Sequence, residues 1–388
     1  MKKRYLALLL VLVLALVACN PEATGDATEA PATVAGEAEV TEAADTGDTE
    51  ATEETEGDET EPAGEGTGSD LKVGMVTDEG GVNDQSFNQS AWEGMERAEE
   101  ELGVGVSYVE SHNESDYAPN FDTSLEQGNQ LIWGIGFMLT DALNAAAEAN
   151  PETNYALVDS VAAEGLNNAV SVLFKAEQPS FLVGYIAAHM TESNNVGFIG
   201  GVEGDIIWGF EYGYRAGVAY GAKELGKEIE VQVQYANSFT DSAIGKAIAK
   251  TMYGNGADII FSAAGDVGTG AIEESREAHT EEKPAYAIGV DRDQNYLSPE
   301  TVITSAVKRV DVGVYNVIKE TVENGFPGGQ VFTYGLQDGG AVDIAETSDQ
   351  HVPAEVLEKI DPLKEQIINE EIVVPFNEET FETWLAEQ

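Results

Sequence analysis

The stretch between Lys72 and Trp92 brings acidic, amide and aromatic side chains together over a short span. Apolar residues at positions 73–76 predict a buried strand, which the acidic turn at positions 77–81 ends. Paired glycines in that turn let the backbone take positive φ angles and expose its N–H groups. Phe87 then begins a predicted helix beside the carboxyl end of the strand, where open α/β sheets bind their ligands. This stretch is therefore the first candidate for a binding wall.

Comparable positions recur further along the chain. Asp159 and Asp291 each follow a predicted strand, and Phe210 begins a predicted helix after a pair of glycines. Carboxylates at such positions accept hydrogen bonds from ligand N–H and hydroxyl groups. The residue types alone also fit a second interpretation, in which the phenylalanine at position 87 belongs to the core and the aspartates cap helices or lie in solvated turns.

Other motifs with a known chemistry are incomplete. The run GDVGTG at positions 265–270 lacks the Lys-Ser/Thr of a P-loop and the third glycine at dinucleotide spacing. No pair of acidic residues is fixed by local sequence at the separation a glycosidase or nucleosidase needs. The histidines follow no metal-binding spacing. They are His112, His189, His279 and His351. The sequence therefore predicts neither a catalytic centre nor a metal site, and no cofactor.

The chain is strongly acidic. It contains 19 basic and 71 acidic side chains, for a formal net charge of −52 at pH 7. Such a field repels nucleic acid and anionic lipid headgroups, so a nucleic-acid partner is not expected.

The N-terminus has the pattern of an export signal. Three basic residues precede an apolar run from Leu6 to Val17, which is too short to span a bilayer comfortably. Positions 16–19, Leu-Val-Ala-Cys, resemble the lipobox of bacterial lipoproteins. An ordinary secretory signal with a chance cysteine is the alternative. Cys19 is the sole cysteine, which excludes intramolecular disulfides and cysteine-based metal sites. We predict a signal peptide at residues 1–18, then lipidated Cys19 and a disordered acidic linker through residue 70.

Beyond the linker, predicted strands alternate with helices in two series of similar size, which indicates parallel sheets with crossover helices. The predicted fold class is α/β with two lobes of the type I periplasmic-binding-protein kind and a hinge between them. The strand Val302–Ala306 and the helix Val310–Asn324 are expected to complete the first sheet, and the strand Val331–Tyr334 to return to the second. The predicted lobes are therefore residues 71–175 plus 296–328, and residues 176–295 plus 329–388.

The chain resembles a known family in seven segments. The resemblance is specific because these segments occur in the same order as in the family. They are DEGGVNDQSFNQSAWEG, IWGIGF, LVDS, SVLFKAEQPSFLVGY, VGFIGG with FEYGYRAG, AAGDVGTG, and IGVDRDQ with TSAVKRVD. In this order they resemble the basic membrane protein family, which consists of substrate-binding lipoproteins of ABC transporters. The resemblance covers the chain from Leu71 to its end, and the purine-nucleoside receptors of the family are the most similar members.

The resemblance implies how a purine base would be held. Phe87 and Phe210 match phenylalanines of the family that stack on the base, and Trp208 is an alternative to the second. Asp78 and Asp159 match acidic positions that hold the polar edge of the base, and a carboxylate favours guanine-like or hypoxanthine-like edges because it accepts from N–H groups.

The remaining candidates concern the amide contact and the sugar. Asn88 is expected to add an amide contact to the ligand, and Asp291 to accept from the ribose hydroxyls. Lys308 matches the family's cleft lysine and would neutralise Asp291 while donating to a ribose oxygen. Asp266 stands where the nucleoside receptors more often carry glycine, which leaves the sugar or base preference open.

The resemblance also implies a role and partners. The chain would be a monomeric, lipid-anchored receptor on the extracytoplasmic face of the cell membrane that delivers a purine nucleoside to an ABC permease and its ATPase. A receptor for another heterocycle or a sugar-like ligand, and a signalling receptor, are the open alternatives. A nucleoside-cleaving hydrolase is a remoter one. A ligand-sensing repressor is opposed by the export signal, the charge, and the lack of a helix-turn-helix before the first lobe.

Overall fold

The computed structural model describes residues 69–388. The predicted signal peptide, the predicted lipidation site Cys19 and almost all of the predicted linker lie outside the described residues. In the described part of the chain, no helix is long and apolar enough to cross a bilayer.

The described residues fold into alternating strands and helices, named here in chain order. The strands are β1 (Lys72–Val76), β2 (Gly105–Val109), β3 (Leu131–Ile135), β4 (Asn154–Val158), β5 (Ala169–Phe174), β6 (Asn195–Gly200), β7 (Glu230–Tyr235), β8 (Ile259–Ala263), β9 (Tyr286–Asp291), β10 (Val302–Lys308), β11 (Val331–Tyr334) and β12 (Val342–Ile344). The helices are α1 (Phe87–Leu102), α2 (Tyr117–Glu126), α3 (Thr140–Ala149), α4 (Glu177–Met190), α5 (Asp205–Leu225), α6 (Ser242–Gly254), α7 (Asp266–Ala278), α8 (Val310–Asn324), α9 (Ala354–Leu357), α10 (Ile360–Ile368) and α11 (Glu378–Glu387).

Two six-stranded sheets organise the fold, one in each lobe. The strand order is β11-β5-β4-β3-β1-β2 in lobe 1 and β12-β10-β9-β8-β6-β7 in lobe 2. All neighbouring strands are parallel except β12, which runs antiparallel to β10. Central strands such as β3 and β8 are buried along their whole length, as expected when helices cover both faces of a parallel sheet. The predicted two-lobed α/β class is confirmed.

The sheets correct the prediction for two strands. β10 lies in the second sheet, where it pairs with β9 and β12, and β11 lies at the edge of the first sheet beside β5. The prediction placed them the other way round. It grouped β10 with α8, because the two are adjacent in sequence, but the chain changes lobes at the single residue between them, Arg309.

Helix α8 itself lies where it was predicted, in lobe 1. It packs on α1, and the Tyr315 hydroxyl donates to the carboxylate of Glu101 at 2.6 Å. Its C-terminal end leads into β11, which therefore joins the sheet of the same lobe. The chain thus crosses between the lobes three times: at Lys175–Ala176, at Arg309 and at residues 335–341.

Helices α4 and α5 form the closest helix pair of lobe 2. Glycines on their facing sides bring the two backbones together: a Cβ atom on Gly184 would lie 2.2 Å from the Tyr214 carbonyl oxygen, and one on Gly217 would lie 2.0 Å from that of Phe181. Helix α4 follows the first crossing directly, so this contact fixes the start of lobe 2 against the rest of it.

We expect Gly217→Ala to destabilise the protein, because the added methyl group has no room between the two helix backbones. Overpacking of this kind costs about 1–3 kcal/mol of unfolding free energy, measured by urea denaturation. Gly254→Ala is the matched control, since Gly254 ends α6 with no atom near its Cβ position. Equal stabilities of the two variants would contradict the close packing of α4 on α5.

Candidate functional site

A cavity lies between the two lobes at the carboxyl ends of their strands. Its volume is about 60 Å³. It is lined by seven of the predicted site residues: Asp78, Phe87, Asn88, Asp159, Phe210, Asp291 and Lys308. Residues more than 200 positions apart in sequence thus line one cavity.

Two predicted residues lie outside the cavity wall. Asp266 begins α7, where its backbone N–H donates to the carbonyl of Phe239 at 2.8 Å and its side chain is half-buried. Trp208 is also half-buried and packs against the large apolar core instead of facing the cavity. Of the two alternatives for stacking from lobe 2, only Phe210 lines the cavity.

Lys308 is the charged centre of the site. Its side chain is 2% exposed, and its ammonium group contacts the Asp159 carboxylate of lobe 1 and lies 3.9 Å from the Asp291 carboxylate of lobe 2. It also lies 4.6 Å from the centroid of the Phe87 ring and 5.6 Å from that of Phe210. An ammonium group against ring faces is an attractive arrangement. Lys308 therefore connects the acidic and aromatic walls of both lobes.

Asp159 and Asp291 occupy equivalent places in the two sheets, directly after β4 and at the end of β9. Both have left-handed backbones, with φ of 61° in each case. Such strain in a residue other than glycine is concentrated at functional sites. Here it aims both carboxylates at Lys308. Burial raises the pKa of Asp291 to about 6, although Lys308 and the Ser86 hydroxyl, which donates to it at 2.5 Å, act against the shift.

Asp78, Asp84 and Asn88 form a hydrogen-bonded group in the part of the cavity wall that lobe 1 contributes. The Asn88 amide nitrogen donates to Asp78 at 2.7 Å and to Asp84 at 3.0 Å. The Asp84 carboxylate also accepts the backbone N–H groups of Asn88 and Gln89, and so caps α1. Ser86 does not cap the helix, because its hydroxyl reaches Asp291 across the cleft.

Two buried acceptors at the cavity wall have no hydrogen-bond partner among the described residues. They are Oδ1 of Asn88 and Oδ1 of Asp159. The orientation of the Asn88 amide is fixed, because its nitrogen faces two carboxylates that can only accept when ionised. Buried polar atoms without partners are costly. These two oxygens can therefore accept hydrogen bonds from a molecule in the cavity.

Sequence reasoning missed three of the aromatic and charged side chains that line the cavity. Phe137 and Phe239 come from opposite lobes and meet edge to face across the cleft, with ring centroids 6.3 Å apart. The third is Asp84, which caps α1. Phe137 could have been found, because it lies two residues after the buried strand β3, within IWGIGF. Phe239 lies in a loop four residues after β7, and no local pattern marks it.

Residues 71–378 match the family described as PnrA-like ABC transporter substrate-binding proteins. The chain belongs to this family. The Lactococcus lactis relative named ABC transporter nucleoside-binding protein BmpA is 40% identical over 79% of this chain and 90% of its own. Basic membrane protein A of Borreliella afzelii is 39% identical over 81% of this chain and 95% of its own. This family consists of substrate-binding proteins rather than enzymes.

A solved structure agrees with the assignment. A solute-binding protein of an Aeropyrum pernix ABC transporter superimposes with a TM-score of 0.74 and 29% identity, and it covers 82% of this chain and 97% of its own. Within residues 69–388, no group of three or more potential metal ligands occurs.

The acidic wall predicts a pH dependence of stability. Burial raises the pKa of Asp78 from 3.8 to about 7. Between these values the folded chain binds more protons than the unfolded chain, so the unfolding free energy falls as the pH rises through this window. Asp78→Asn cannot titrate and keeps an acceptor for Gly80 and Asn88. Between pH 4 and pH 7, we expect the unfolding free energy of Asp78→Asn to fall less than that of the wild type, by an amount on the order of 2 kcal/mol.

Urea denaturation across this pH range measures the effect. Asp141→Asn is the control, because Asp141 is exposed on α3. An unchanged pH profile in Asp78→Asn would show that this carboxyl group does not carry the proton uptake.

Proposed function

We propose that the protein binds a purine nucleoside in the cavity between its lobes and delivers it to an ABC permease. The observation that carries the proposal is the position of Lys308, whose ammonium group lies near an aromatic ring from each lobe and near two carboxylates. A nucleoside matches this combination, because its base offers two ring faces and its ribose offers hydroxyl donors. The base lies between Phe87 and Phe210, where stacking contributes about 1–3 kcal/mol.

The polar groups divide into two sets. Asp78 and Asn88 hold the edge of the base, because Oδ1 of Asn88 is unpartnered and the second oxygen of Asp78 lies toward the cavity, near Gly136. Asp159, Asp291 and Lys308 hold the ribose, where the free oxygen of Asp159 accepts from a hydroxyl group. This proposal moves Asp159 from the base edge, where the sequence placed it, to the sugar, because it contacts Lys308 beside Asp291.

The charge of the wall favours a nucleoside over a nucleotide. The carboxylates of Asp78, Asp84, Asp159 and Asp291 face the cavity with a single lysine, so a phosphate group would meet net repulsion. The name of the Lactococcus lactis relative, a nucleoside-binding protein, supports the same ligand class. Asp266 lies outside the cavity wall, so it enters this proposal only through the charge it adds nearby.

Calorimetric titration of the chain from Asn20 onward, with purine nucleosides, free bases, sugars and a nucleoside monophosphate, tests the ligand. We expect micromolar or tighter binding of a nucleoside and no comparable binding of the monophosphate. If no nucleoside binds to the folded protein, the proposed ligand class is wrong.

Phe87→Ala tests the stacking role. Loss of one base contact should weaken nucleoside binding by about 5- to 150-fold. The same titration measures it, with circular dichroism to confirm the fold. Phe376→Ala is the matched control, because Phe376 is 51% exposed on the C-terminal segment, away from the cavity. Wild-type affinity in Phe87→Ala would show that Phe87 is a core residue and does not stack on the base.

The proposal places the protein at the outer face of the cell membrane, held by lipid on Cys19 with the acidic linker as a tether. Cys19→Ala should move the protein from the membrane fraction to the soluble extracytoplasmic fraction, because its anchor is lost. Fractionation followed by immunoblotting measures this. A variant that remains on the membrane after its signal peptide has been removed would exclude Cys19 as the anchor.

A further inference from the structure

A second set of contacts joins the lobes outside the cavity. It consists of Gln85, Glu93, Arg292, Gln294 and Tyr296, which we name the latch, and none of the five lines the cavity described above. The first two belong to lobe 1, and the other three follow β9 in lobe 2. The latch therefore acts between the lobes without touching the ligand space.

Its charged contact is a short ion pair. Arg292 Nη2 lies 2.6 Å from Glu93 Oε1, and their side chains are 21% and 41% exposed. Gln89 Nε2 also donates to the same Glu93 oxygen at 3.2 Å. On the other side, the Arg292 guanidinium lies 5.9 Å from the centroid of the Tyr296 ring. The geometry is that of a charge-assisted hydrogen bond at the rim of the cleft.

Its neutral contacts converge on Gln85. Gln294 Nε2 donates to the Gln85 carbonyl oxygen at 3.0 Å, and the Tyr296 hydroxyl donates to Gln85 Oε1 at 2.9 Å. Gln294 is held rigidly, because its own Oε1 accepts from the Val290 N–H and its backbone N–H donates to Ser305. Lobe 2 thus presents a fixed donor to one backbone carbonyl of lobe 1.

Backbone strain links the latch to the cavity. Gln85 has a φ of 55°, and the next residue, Ser86, donates to Asp291 in the cavity. Asp291 has a φ of 61°, and the next residue, Arg292, pairs with Glu93. In lobe 1, the left-handed Gln85 belongs to the latch, and the next residue contacts a cavity residue. In lobe 2, the left-handed Asp291 lines the cavity, and the next residue belongs to the latch. Strained backbones of this kind persist where surrounding contacts hold them.

We propose that the latch sets the closing equilibrium of the lobes before ligand binds, and that Arg292 and Glu93 are positioning residues for binding. The apparent dissociation constant equals the intrinsic one divided by the fraction of closed protein. Weakening the latch therefore weakens binding of any cleft ligand, although no ligand contact changes. The effect on affinity rests on the proposed function, whereas the effect on the lobes does not.

Lobe closure can be measured directly with a dye pair. The chain from Asn20 onward has no cysteine, so two cysteines can be introduced without competing thiols. It also keeps all core residues of the described part of the chain, which lie between Val73 and Trp384. Asp141→Cys on α3 of lobe 1 and Ala243→Cys on α6 of lobe 2 are exposed positions. Single-molecule energy transfer between dyes on them reports the separation of the lobes with and without guanosine.

The latch variants are Arg292→Gln, Tyr296→Phe, Glu93→Lys, and the double reversal Glu93→Lys with Arg292→Glu. We expect Arg292→Gln and Tyr296→Phe each to lower the closed population of ligand-free protein and to weaken guanosine binding by about two- to fivefold. Glu93→Lys should have a larger effect, because it opposes two positive charges, and the double reversal should restore closure. Arg97→Gln is the control, since it removes an ion pair with Glu101 within helix α1.

The outcomes separate the two proposals. Loss of closure in the single variants with recovery in the double reversal supports the latch, even if guanosine binds to none of the proteins. A dye separation in Arg292→Gln equal to that of the wild type, or a double reversal that stays as open as Glu93→Lys, overturns the latch whether or not guanosine binds.

Discussion

A buried ammonium group is the constraint on which the site depends. Lys308 is almost inaccessible to solvent, and an unpaired charge in such a place would cost several kcal/mol, on the order of the stability of a whole domain. It has carboxylate partners in both lobes, so its full neutralisation requires the lobes to be together. This ammonium group accordingly lies among the strand ends of the two lobes, the two strained aspartates and the aromatic rings.

The same constraint explains the polarity of the cavity. Four carboxylates and one lysine line the cavity, so the wall has an excess of acceptors, and two of its buried oxygens lack partners among the described residues. A molecule rich in N–H and O–H groups completes this wall, whereas an anion adds to its repulsion. The local chemistry therefore favours a small, donor-rich and uncharged ligand, as the proposed function requires.

Much of the site could be predicted because its residues follow recognisable strands. Asp159 and Asp291 each end an apolar run, and such runs identify the carboxyl edge of a parallel sheet. The sheet that a strand joins could not be predicted in this way, because β10 is buried along all its length and its apolar sequence fits either lobe. Phe239 could not be found either, because it comes from a loop whose course depends on tertiary contacts. Asp266 stays a prediction: it is half-buried at the start of α7, outside the cavity wall.

The threefold crossing of the chain also bears on how the protein reaches its native state. The edge of the first sheet is completed by β11, which lies more than 150 residues beyond β5, its partner. A chain that leaves the cell N-terminus first would thus emerge with lobe 1 unfinished, and its stable form would wait for almost the whole sequence to appear. Such long-range pairing slows folding. Slow folding would suit the export predicted from the N-terminal sequence, because a narrow export channel passes only an unfolded chain.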